Sequence, residues 1–166
     1  MYQSSNKVLS CTASEDFWLG GREDPSKCVS PDSITQDPLV AANTWVYEMI
    51  NVIPVWENLK YTGKGIKIRI NDDGVDVDNL EFSGNGKFDE ANSCAQWRPL
   101  PTDPDGHGTA VAGIVSGNAN NDNCAAGIAY DSSFSACNFF AKGVSYSALA
   151  YKVETFDISQ NSIGTP

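Results

Sequence analysis

The 166-residue sequence predicts an α/β fold with a mainly parallel sheet, and three stretches carry that prediction. Isoleucines alternate through Ile66-Lys67-Ile68-Arg69-Ile70 and the run ends in Asn71-Asp72-Asp73-Gly74, a strand followed by an acidic turn. The run from His107 to about Gly117 is dense in small apolar residues, which predicts a helix packed closely on all sides. Further on, Phe134–Phe140 alternates apolar residues, and a helix over Val144–Val153 leads to a strand over Thr155–Gly164. With a short strand at Ala125–Tyr130, the order is strand, helix, strand, strand, helix, strand.

The remaining elements follow in chain order. Residues 1–36 are polar, with Gly20-Gly21, Pro25 and Pro31, and predict a loop-rich N-terminal extension in which Cys11 and Cys28 are placed to close a small loop. Asn43–Leu59 carries Trp45, Met49, Ile50, Val52 and Trp56 at core-like spacing, and predicts two helical pieces broken near Pro54. Tyr61-Thr62-Gly63-Lys64-Gly65 is a turn into the isoleucine strand. On that strand Lys67, Arg69 and Asn71 occupy the second face, so a buried Arg69 requires a partner. Val75–Pro104 is rich in glycine and proline and predicts surface loop, pinned by Cys94 and Trp97.

Composition narrows the function classes. The length allows one domain at most. A net charge of -10 argues against a nucleic-acid or anionic-membrane partner and suits calcium or a basic peptide. No run of 18 apolar residues occurs, so no membrane segment is expected. Met1–Ser10 is polar, and no secretory leader is expected there. The five cysteines are an odd number, which in a secreted chain predicts a partner elsewhere or a free thiol. Gly84-Asn85-Gly86-Lys87 lacks a strand-loop-helix setting, so nucleotide binding is not expected.

The chemistry concentrates at two places. His107 is the only histidine, flanked by Gly106 and Gly108 at the start of the apolar helix, where an exposed imidazole can shuttle protons. Asp72 lies at the carboxyl end of a strand, the position where open α/β sheets place their chemistry. A carboxylate that fixes a histidine's tautomer and stabilises its cation makes two thirds of a nucleophile-activating triad.

Asp72-Asp73-Gly74 followed by His107-Gly108-Thr109-x-Val111-Ala112-Gly113 resembles the subtilisin-like serine proteases, the subtilases. With Asn120-Asn121-x-x-Cys124-Ala125-Ala126-Gly127, the chain looks most like the kexin/furin branch of proprotein convertases. The resemblance runs from about Asp37 to Pro166. It implies a subtilisin-like three-layer sandwich, incomplete at the C-terminus, with residues 37–166 as the N-terminal part of a catalytic domain. It implies serine-type endopeptidase chemistry on a peptide or protein substrate in the secretory lumen or outside the cell. Asp72 and His107 are then the catalytic pair. Asp73 faces a basic substrate side chain, while the family's second acid there falls on Pro104, one place before Asp105. Ser162, Ile163 and Gly164 lay their backbone beside the substrate. A structural calcium site falls on Asp37, Glu81 and Asn121 through side chains and on Asn118, Asn123 and Ala125 through carbonyls. Glu81 stands where the family has aspartate. Cys124 matches a cysteine that pairs far downstream.

The nucleophile motif Gly-Thr-Ser-x-x-x-Pro does not occur in the sequence. The chain alone is therefore expected to be inactive, as part of a longer protease. The alternative is a non-catalytic calcium-binding or protein-interaction module derived from a subtilase.

Overall fold

The computed structural model describes residues 37–84, 86–94, 103, 106–140, 149–162 and 164. A three-stranded parallel sheet is formed by β1 (Lys67–Asp72), β2 (Ser133–Asn138) and β3 (Ile158–Asn161) in the order β2-β1-β3. β1 is the central strand, so Asp72 ends the strand flanked on both sides. Its register pairs Asp72 with Asn138 and Asn71 with Asn161.

The two faces of β1 differ as the alternation of its residues requires. Ile68 and Ile70 pack with Val75, Phe82, Ala112, Phe134 and Ala136 into the main core. That face is covered by α3 (His107–Ser116), whose Ala112 is fully buried. The other face buries Arg69 and Asn71 completely. The Arg69 guanidinium donates to the carbonyls of Leu149 and Tyr151 and lies over the Phe156 ring, 5.4 Å from its centre. Residues from Leu149 to Phe156 thus form the layer opposite α3, and Arg69 has its required partners in backbone carbonyls rather than a carboxylate. The described portion is an incomplete α/β sandwich, helix on sheet on covering segment.

A second core joins α1 (Val40–Met49) and α2 (Ile53–Glu57) to the rest through Tyr47, Val52 and Trp56, packed near Ile128 and Tyr130. Tyr47 Oη donates to the Ala126 carbonyl and Trp56 Nε1 to that of Ile128. Two expectations change here. The helical break falls at Asn51, whose φ is 56°, and Pro54 sits in the first turn of α2, where a missing N–H costs nothing. Trp45, Met49 and Ile50 are exposed rather than core.

Two further expectations are corrected. Residues 125–130 form no strand: the amides of Gly127, Ile128 and Ala129 donate to the carbonyls of Gly117, Ile114 and Val115. Those carbonyls are the orphan acceptors at the end of α3, which draw the segment away from the sheet ladder. The stretch after Val75 is not surface loop. Val75, Phe82, Lys87, Ser93 and Cys94 are buried, two 3-10 turns lie at Leu80–Phe82 and Glu90–Asn92, and Phe88 bridges to Phe134. Cys94 does pin this stretch, through a disulfide to Cys137 on β2. Trp97 lies outside the described residues, as does most of the helix expected over Val144–Val153; Leu149 and Ala150 are helical and Val153–Thr155 is a 3-10 turn. Cys124 is also disulfide-bonded, and the loop expected between Cys11 and Cys28 lies outside the described residues.

Candidate active site

The site forms where the carboxyl end of β1 meets the amino end of α3. Asp72 is 2 % exposed, and its Oδ1 lies 2.7 Å from His107 Nδ1. A carboxylate accepts, so the ring carries its proton on Nδ1 and leaves Nε2 as the basic nitrogen. The His107 side chain is 57 % exposed, which makes that nitrogen accessible. The same Asp72 oxygen accepts the Asp73 amide at 2.9 Å, while Oδ2 is buried and has no hydrogen bond.

Gly108 explains the close approach of helix and strand. A Cβ there would sit 1.9 Å from the Gly74 carbonyl oxygen and 2.9 Å from Asp72 Cβ. Gly106, just before the helix, has φ 79°, a left-handed conformation that glycine adopts without penalty. The Gly-His-Gly pattern is therefore a steric requirement of seating the ring on the aspartate.

Asp73 does not reach the ring but the helix: its Oδ1 accepts the Gly108 amide at 2.8 Å. Asp103, which the sequence reading passed over in favour of Pro104 and Asp105, accepts the amides of Gly106 and Thr109, each at 2.7 Å. Its signal in the sequence is only an aspartate a few residues ahead of a helix start. Pro104 and Asp105 lie outside the described residues. The electrostatics follow from this crowding of acids. His107 is raised above its ordinary value, first by the hydrogen bond to Asp72 and then by the charges of Asp72, Asp73 and Asp103. Asp73 is pushed up to about 6, mainly by burial, with the charges of Asp103 and Asp72 adding to it.

The residues expected to lie beside a substrate sit on or next to β3, an outer strand among the described residues. β3 is largely exposed and runs into Ser162, whose Oγ accepts from Gln160 Nε2 at 2.6 Å. Gly164 is exposed, and Ile163 lies outside the described residues. Asn71, immediately before Asp72, ties this edge to the central strand by donating to Asn161 Oδ1 at 2.7 Å and Ser159 Oγ at 3.1 Å.

The residues expected to hold calcium gather at the far end of α3. Asp37 is buried and accepts the amides of Asn120, Asn121 and Asp122. Glu81 is 4 % exposed and neither carboxylate oxygen has a hydrogen bond. Burial pushes it up to about 7, and the Asp37 charge adds to this while the Lys87 charge works against it. Asn121 Oδ1 accepts the Asn123 amide and its Nδ2 is unpaired. Asn118 donates its amide to the Glu81 carbonyl, and Ala125 is half-buried in the same loop.

Residues 63–164 match the subtilase family, and the chain belongs to that family of serine endopeptidases. It is 33% identical over 126 residues, 69% of this chain, to neuroendocrine convertase 2 of Homo sapiens, of which it spans 20%. It is 35% identical over 95 residues, 54% of this chain, to proprotein convertase subtilisin/kexin type 4 of Rattus norvegicus, of which it spans 14%. The similarity thus lies with the kexin/furin branch, and the chain spans about a fifth or less of these relatives' length. Among the described residues no helix is long and apolar enough to cross a membrane.

Proposed function

We propose that this chain supplies the aspartate and histidine of an Asp-His-Ser triad in a convertase-like serine endopeptidase. The observation that supports it is the 2.7 Å contact between Asp72 Oδ1 and His107 Nδ1 beneath an accessible ring. Asp72 orients the imidazole and stabilises its cation. His107 Nε2 takes the proton of an attacking serine and later returns it to the leaving amine. Asp73 presents an acid beside the ring that suits a basic substrate side chain. Ser162, Ile163 and Gly164 extend the exposed edge strand along which a substrate peptide would pair.

No Gly-Thr-Ser occurs in the 166 residues, so a serine from outside this sequence must complete the triad, and the chain alone hydrolyses peptides poorly. Residues 37–62 pack on the segment matched to the family, through Tyr47 and Trp56, which supports a domain running from residue 37 rather than from 63. The Cys94–Cys137 disulfide fits an oxidising compartment, the secretory lumen or beyond.

The family also implies calcium, and the residues present fit it. The orphaned buried carboxylate of Glu81, beside Asp37 and Asn121, is an all-oxygen set of the kind hard cations take. Asp37, Glu81 and Asn121 would hold the ion with carbonyls of Asn118, Asn123 and Ala125. Bound there, the ion would neutralise two buried acids and fix the loop after α3. The same orphaned acid and the missing serine motif favour a second reading, a calcium-binding module without catalysis.

Labelling with a fluorophosphonate separates the two. The product expressed from its natural gene, captured by an antibody against residues 37–164, is expected to be labelled on a serine and to cleave peptides at basic sites. Absence of both labelling and cleavage would exclude the protease and leave the module.

A further inference from the structure

The first turn of α3 is gripped by three acids, only two of which come from the Asp-Asp-Gly turn. Asp72 holds the His107 ring, Asp73 holds the Gly108 amide, and Asp103 spans the ring's position by accepting the amides of Gly106 and Thr109. Gly106 itself offers no side chain to cap the helix. The two Asp103 bonds thus bracket His107 in sequence and satisfy two donors that the start of a helix leaves open. A Cβ added at Gly106 would meet nothing within 4 Å among the described residues, so side-chain packing by them does not hold the left-handed turn there.

We propose that Asp103 is a positioning residue for His107, its carboxylate clamping residues 106–109 so that the imidazole stays hydrogen-bonded to Asp72. The inference rests on the reading of His107 as the general base. The clamp acts through the backbone on either side of the ring and through no contact with it. It is also electrostatic: among the described residues the groups that bear on the ring are Asp72, Asp73 and Asp103, all acidic, and each favours the imidazolium. Asp103 therefore does two things at once, holding the ring's neighbours and stabilising the cation that proton transfer creates.

The sole histidine makes the test direct, because one ring gives one set of nuclear magnetic resonance signals. In the full chain, Asp103→Ala is expected to broaden or remove the Nδ1 proton signal through exchange with water. It should lower the ring's pKa and speed exchange of the Thr109 and Ala110 amides roughly tenfold, the scale of one lost cap. Asp103→Asn keeps one acceptor oxygen but sets an N–H donor where the second oxygen accepted, so one clamping bond and the charge are lost: the Nδ1 signal is expected to weaken less than in the alanine variant while the pKa falls. It carries the test should the alanine variant not fold. A ring signal and pKa unchanged in the alanine variant, or in the asparagine variant an unchanged pKa, would overturn the inference. Loss of the signal in Asp72→Asn but not in Asp103→Ala would overturn it while leaving the protease reading in place. A parent chain lacking the Nδ1 signal altogether would remove both.

Discussion

His107 and Asp73 show how far neighbouring acids reset ordinary chemistry at single residues. The ring gains a proton affinity above its usual value because its Nδ1–H donates to Asp72 and two more acids lie close. For such a group the stabilisation is complete below its unfolded pKa and is lost as pH rises through the folded one. Asp73 has the opposite consequence for its charged form. Its folded value of about 6 lies above the ordinary 3.8, so the folded state binds the proton more tightly than the unfolded chain. Stability from this group is present below about pH 4 and is lost as pH rises to about 6. Asp73→Asn keeps an oxygen for the Gly108 amide and removes the titration. Its melting temperature is expected to match the parent near pH 4 and to exceed it at pH 7. An equal difference at both pH values would contradict the assignment.

At the scale of elements, the site depends on how closely α3 lies against the end of β1. Gly108 sets that distance, since a single added carbon meets the Gly74 carbonyl. Gly108→Ala is therefore expected to destabilise the chain by about 2 kcal/mol or more in urea titrations, the range of overpacking, and to separate the ring from Asp72. Retention of both stability and ring geometry would show that the helix can shift freely. The residues that make this junction were legible in the sequence, because the Asp-Asp-Gly and Gly-His-Gly-Thr patterns are local and their spacing is distinctive. β1 and β2 were legible by alternation and α3 by its run of small apolar residues, while β3 was legible only through the resemblance. The segment after Val75 was not, because its glycines suggested surface while Phe82, Cys94 and the buried Lys87 amine, which donates to the Tyr130 carbonyl, fold it into the core. Nor was residues 125–130, whose strand-like composition yields to the open carbonyls of a helix end. Asp103 was missed because its partners are backbone amides, which leave no mark on side-chain patterns.

At the scale of the whole molecule, one face of the central strand is apolar and the other is built on a buried arginine and asparagine. Two devices fasten the periphery to it. The Cys94–Cys137 bond, spanning 43 residues, ties the segment after Val75 to β2. Trp56 and Tyr47 fasten the N-terminal helices to the loop that follows α3. That loop also holds Asp37 through three amides, so an ion at Asp37, Glu81 and Asn121 would couple N-terminal helices, loop and core. Calcium at a hundredfold excess over its Kd is expected to raise the melting temperature by on the order of 5–10 °C, and Glu81→Ala should abolish the response. No shift at millimolar calcium would argue against the site.

The central claim is that Asp72 and His107 form a working pair, and the pH titration of the single imidazole in the parent chain and in Asp72→Asn tests it most directly. The pair predicts a parent pKa above 6.5 that falls in the variant. A parent value at or below 6.5 that the substitution leaves unmoved would contradict it.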